Sequence, residues 1–96
     1  MIYHVTTLQE WQSQGGKSEF IPADYFKEGF IHCCTSAQLS GVLERYFKGR
    51  PDLVLLYLDE SKLKAELKYE VSTNDEKFPH LYGAIDREAI IKVDKL

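Results

Sequence analysis

The chain has few of the features that usually assign a small protein to a class. Its two cysteines are adjacent, Cys33 and Cys34. Neighbouring cysteines suit no ordinary disulfide framework, so a reduced, cytoplasmic setting is expected. Six glycines and three prolines are too few to build a linker or low-complexity tract. No apolar run approaches the length of a bilayer span, and the N-terminus starts on a strand pattern without a basic and apolar export signal, so no membrane partner is expected. Gly-x-Gly-x-x-Gly and phosphate-loop patterns are both missing, which excludes the common dinucleotide folds. Basic excess is missing too: 12 Lys and Arg stand against 15 Asp and Glu, a net charge of −3. A mildly acidic surface has little general attraction for phosphate backbones, so long nucleic acid is not an expected partner.

What is present is enough for one domain, residues 1–96, with a single core. Ile2 to Thr6 alternates as an opening strand. Thr7-Leu8-Gln9-Glu10 matches a capping box and starts a short N-terminal helix carrying Leu8 and Trp11, stopped by Gly15-Gly16. Phe20-Ile21-Pro22 is extended, and Ala23 to Lys27 forms a helical turn ended by Gly29. In the stretch Glu28-Gly29-Phe30-Ile31-His32-Cys33-Cys34-Thr35, strand periodicity puts Phe30, His32 and Cys34 on one face and Ile31 and Cys33 on the other. A second box, Thr35-Ser36-Ala37-Gln38, opens the main amphipathic helix, about 36–48. Its stripe is Leu39, Val42, Leu43, Tyr46 and Phe47. Leu53 to Leu58 is apolar without alternation, as in a strand covered on both faces. Leu67 to Val71 alternates, placing Leu67, Tyr69 and Val71 toward the core. Phe78 to Tyr82 and Ala89 to Val93 are further extended segments. Strands outnumber helices without regular alternation, so the fold class is α+β with a mixed, mostly antiparallel sheet.

All three histidines lie in such apolar, strand-like segments: Ile2-Tyr3-His4-Val5-Thr6, Phe30-Ile31-His32-Cys33, and Phe78-Pro79-His80-Leu81-Tyr82-Gly83. These segments, with Asp52-Leu53-Val54-Leu55-Leu56, resemble the small bacterial family catalogued as domain of unknown function 952 over nearly the whole chain. That family looks like a compact member of the ADP-ribosyltransferase-like superfamily, whose enzymes split the nicotinamide–ribose bond of NAD. The RNA 2′-phosphotransferase branch is nearest in pattern, with a histidine on its first strand and a second at a strand end like His32-Cys33-Cys34. The resemblance implies a split sheet and a cleft lined by His4, His32 and His80. It also implies NAD as co-substrate and ADP-ribose passed to an acceptor or to water.

That chemistry develops positive charge on the ribose, so a site needs groups that hold ribose hydroxyls, a flat wall for nicotinamide and a nearby negative charge. His4 and His32 would hold or orient the sugar, with His80 beside them. Tyr3, Phe30 or Tyr82 would supply the flat surface, with Thr6 contributing a hydroxyl. Arg45 or Arg50 would pair with the pyrophosphate. Glu70, by analogy with a late glutamate of the superfamily, would stabilise the cationic sugar. Other readings stand beside this one. The cleft could bind a nucleotide or small ligand without catalysis, or the histidines could be packed side chains of a structural or partner-binding domain. Cys34 shares a strand face with His32, the geometry of a thiolate–imidazole nucleophile, although buried structural cysteine is the commoner role. A metal site is not expected: Cys33 and Cys34 project to opposite sides, and no Cys-x-x-Cys or His-x-x-x-His pair exists.

Overall fold

Three antiparallel sheets divide the chain in the computed structural model, which describes residues 1–96. The elements run β1 (Ile2–Thr7), α1 (Leu8–Ser13), β2 (Glu19–Phe20), α2 (Tyr25–Glu28), β3 (Ile31–His32), α3 (Ser36–Tyr46), β4 (Leu53–Leu58), β5 (Glu66–Val71), β6 (Lys77–Tyr82), β7 (Ile85–Asp86) and β8 (Ile90–Lys95). The sheets have the orders β1-β4-β8, β2-β7 and β3-β6-β5. No helix is long and apolar enough to cross a membrane.

The α+β class holds, but the expected mixed sheet does not: every ladder is antiparallel. A parallel ladder needs a long crossover between strands of one sheet. The only long helix, α3, instead connects β3 and β4, which belong to different sheets.

Strand β4 explains its own unbroken hydrophobicity. Val54, Leu56 and Leu58 pack into the larger core with Ile2, Phe20, Ile31 and Leu81. Leu53 and Leu55 face the other way, joining Val5 beneath Leu39, Leu43 and Phe47. The helix stripe is therefore a half-buried cover, not a core centre; no residue within α3 is fully buried, and Tyr46 is exposed. The helix also stops earlier than expected, at Tyr46, with Gly49 beyond it in the left-handed region at φ 77°.

Both helix starts use their caps, in different ways. Thr7 Oγ1 accepts the Glu10 N–H at 3.1 Å, but the Glu10 carboxylate turns away to accept the Thr6 hydroxyl and the Ala23 N–H, each at 2.8 Å. At α3 the Gln38 side chain does reach back, accepting the Thr35 N–H at 3.0 Å.

One expectation fails on β5. Leu67 is half-buried against the core, but Tyr69 is 46% and Val71 59% exposed. Strand β5 is the outer strand of its sheet, and nothing packs over its far end.

Strands β1 and β3 meet at a single rung. Tyr3 N–H donates to the Cys34 carbonyl and Cys34 N–H to the Tyr3 carbonyl, both at 2.8 Å. A continued ladder would next set Val5 against His32. Instead the His4 ring takes the His32 carbonyl, at 2.6 Å from Nδ1. The two sheets part at that point, and the cleft opens there.

Candidate functional site

The cleft has a volume of about 660 Å³, within the range of small-ligand and cofactor pockets. Both His4 and His32 line it, as do Tyr3, Thr6 and Phe30 among the residues singled out from the sequence. Tyr46 and Thr73 also line it, their hydroxyls hydrogen-bonded to each other.

His4 is 7% exposed. Because a carbonyl can only accept, Nδ1 carries the proton donated to His32, and Nε2 is left as an acceptor. That nitrogen is buried and has no partner. Burial holds the His4 pKa below its ordinary 6.5, against smaller opposing pulls from the His32 carbonyl and Glu10. The ring is therefore a neutral imidazole with one nitrogen fixed and the other free.

His32 is the open partner, its side chain 52% exposed and Nε2 3.8 Å from Glu28. Desolvation, then the neighbouring His80, lower its pKa. Glu10, Asp24 and Glu28 give this end of the cleft a negative field. The only cation on the wall, Arg50, is held by Asp52 through two bonds of 3.1 Å.

Four expected site residues lie outside the cleft: Glu70, His80, Tyr82 and Arg45. His80 does stand opposite His32, ring centroids 5.4 Å apart, but it lies under Phe30, which stacks on it at 4.1 Å and 22°. It is 5% exposed, so Phe30 and not His80 forms the wall. Glu70 and Tyr82 stand behind it on the same sheet face. His80 Nδ1 lies 2.9 Å from the Glu70 carboxylate, which also accepts the Tyr82 hydroxyl. Those two bonds, Tyr82 first, hold the Glu70 carboxyl below its ordinary range, and the carboxylate in turn raises the Tyr82 phenol. Glu70 thus orients His80 within a small polar cluster that touches the cleft through Phe30 and His32. Arg45 is exposed on α3, with its guanidinium folded back over Gly41 and near the Tyr46 ring.

The cysteines carry no activated thiolate. Burial pushes Cys34 up to about 11 and Cys33 higher still. Cys34 lines the cleft with Phe30 and His32, but it is buried at its rung to Tyr3 whereas His32 is half exposed. No three His, Cys, Asp or Glu side chains converge as a metal-binding group.

Sequence reasoning missed Glu10, Asp24 and Glu28 as wall residues. Glu10 carried a signal, its place in the Thr7 box, but that pattern describes a helix cap and not a cleft. Buried Asp86 was missed as well; its carboxylate accepts the Lys64 N–H at 2.8 Å and anchors the loop before β5.

The sequence profile of one family, described as "Protein of unknown function (DUF952)", matches residues 5–93. Among solved structures, the X-ray crystal structure of Protein CC0527 from Caulobacter crescentus is 29% identical, with a TM-score of 0.89 over 99% of this chain and 84% of that one. The solution NMR structure of CC0527 is also 29% identical, with a TM-score of 0.84 over 99% of this chain and 83% of that one. No curated protein matches the chain.

Proposed function

The chain belongs to the DUF952 family, and we propose that its cleft takes NAD as a co-substrate, breaks the nicotinamide–ribose bond, and passes ADP-ribose to an acceptor or to water. The observation that carries this reading is the convergence of His4 and His32, far apart in sequence, on one open cleft, with His4 Nε2 left without a partner. A ribose hydroxyl is a donor suited to that nitrogen.

The charges suit the reaction. The bond between the sugar carbon and the pyridinium nitrogen breaks with its electron pair moving to nicotinamide, leaving a cationic sugar. Glu10, Asp24 and Glu28 favour both the pyridinium and that sugar cation. The acceptor's lone pair then closes the new bond, and its proton leaves to solvent. Arg50 is the cation available to the pyrophosphate once it exchanges Asp52 for phosphate oxygens.

One observation favours a second reading, a non-catalytic module that binds a nucleotide or small ligand: Glu70 stands outside the cleft, engaged by His80 and Tyr82. The two readings part on one pair of measurements. NAD should raise the melting temperature under both, because a ligand selective for the folded state stabilises it. Only the enzyme should release nicotinamide, and His32→Ala should abolish the release while leaving the unligated melting temperature close to that of the parent. Absence of any shift with NAD and with ADP-ribose would sink the enzyme and any module built for this dinucleotide.

A further inference from the structure

Strand β5 alternates as a half-buried strand should, yet its apolar residues Tyr69 and Val71 are uncovered. Its free edge is regular, with six residues in continuous register against β6 and no bulge. The Cys33 N–H donates to the Pro79 carbonyl, so Pro79 and Leu81 turn their backbone toward β3, and Phe78, His80 and Tyr82 turn theirs toward β5. Glu66, Lys68 and Glu70 therefore hold the ladder to β6. Leu67, Tyr69 and Val71 point their N–H and carbonyl groups outward.

That edge is complementary to itself. Set antiparallel to a second copy with Tyr69 on the two-fold axis, it pairs Tyr69 with the partner's Tyr69 and Leu67 with the partner's Val71 on one face. On the other face Lys68 meets the partner's Glu70, once on each side of the axis. The three rungs nearest the axis bring outward-facing backbone groups together, while opposite charges sit at the intervening positions, where side chains approach most closely.

We propose that β5 is the interface through which two copies of this chain join, making one six-stranded antiparallel sheet from two β3-β6-β5 sheets. The pairing covers Tyr69 and Val71, and it brings the partner's Lys68 to the Glu70 carboxylate that holds His80 and Tyr82. The partner copy thereby adds a cation to the polar cluster behind the cleft. A contact built on one strand is at the small end of specific interfaces, so the dimer is reversible and concentration-dependent. The proposal does not depend on NAD being the ligand.

Sedimentation equilibrium of the native chain should show a monomer–dimer equilibrium. Lys68→Glu makes the edge acidic at both charged positions and Glu70→Lys makes it basic at both. Each variant alone should self-associate about tenfold more weakly, while an equimolar mixture should form the heterodimer. As a check that does not alter the charge pattern, Tyr69→Cys should cross-link to a covalent dimer under mild oxidation, since the native thiols are buried. Glu44→Cys, exposed on α3, should not. A native chain that stays monomeric, charge variants that dimerise as well as the parent, or equal cross-linking through Glu44→Cys would each overturn the proposal.

Discussion

The stability of the folded chain should fall measurably between pH 7.5 and 5.5, and His4 should be the main reason. Above its ordinary pKa of 6.5 the imidazole is neutral in both the folded and the unfolded chain, so it contributes no pH dependence. Below 6.5 the unfolded chain takes up a proton that the buried ring refuses. Stability therefore falls as pH falls, until the lowered folded-state pKa is reached. If the ring stays neutral when folded, one pH unit below 6.5 costs about 1.4 kcal/mol. Carboxylates with lowered pKa values, such as Asp52, Asp59 and Glu70, act at more acidic pH, so this window belongs to the histidines. His32 also shifts downward, but it is half exposed and is unchanged in a His4 variant. The assay is the urea midpoint at pH 7.5 and 5.5, at fixed ionic strength, for the parent and for His4→Asn, whose amide can still donate toward the His32 carbonyl. The substitution itself destabilises, but that cost is common to both pH values and drops out of the difference. The variant should lose less stability between the two pH values than the parent, by about 1 kcal/mol. Equal losses would mean that His4 protonates freely in the folded chain, which would remove the case for a neutral imidazole with a free nitrogen.

Three other outcomes follow from single contacts. A Cβ placed on Gly83 would stand 2.6 Å from Ala65 Cβ, so Gly83→Ala should cost about 1–3 kcal/mol in a guanidinium melt. Adding Ala65→Gly should recover part of that loss; no recovery would locate the cost elsewhere. Tyr82→Phe removes the principal bond holding the Glu70 carboxyl down, so its titration, followed by carboxyl-carbon NMR, should move up toward the ordinary 4.5, and an unmoved curve would refute the assignment. Finally, Cys33 and Cys34 should both resist a thiol reagent at pH 8 until denaturant is added, because burial keeps them protonated. Rapid labelling of the native chain would contradict that burial.

The sequence made the elements legible wherever one local rule acted alone. The β4 run, the existence of helix α3 and the Gly29 stop all depend on periodicity or a single backbone conformation, and all stand in the structure. It failed where a residue's partner lies far along the chain. Alternation in Leu67, Tyr69 and Val71 records that one face is apolar, but not whether another element arrives to cover it. The cleft shows the same division. His4 and His32 could be nominated from their apolar surroundings, whereas placing Phe30 over His80 depends on the tertiary register of β3 against β6. Arg45 was nominated by its place near the end of α3, but it is exposed and stands outside the cleft.

His4 is at once a packed side chain and a candidate ligand, because its two nitrogens have different fates. The Nδ1 bond to the His32 carbonyl is structural: it replaces a rung between β1 and β3 and keeps the sheets parted. Nε2 brings no such return; a buried acceptor without a partner costs about 1–3 kcal/mol. A purely structural role accounts for the first nitrogen and leaves the second, like the equally unpartnered Nε2 of His80, as an uncompensated desolvation cost on a marginally stable domain. What sets His4 apart is that it lines the cleft, where a ligand hydroxyl would offset that cost. The same geometry makes His4→Ala an ambiguous probe of binding, since it removes the wedge and the ligand contact together. His32→Ala, on the open side of the cleft, separates binding from folding.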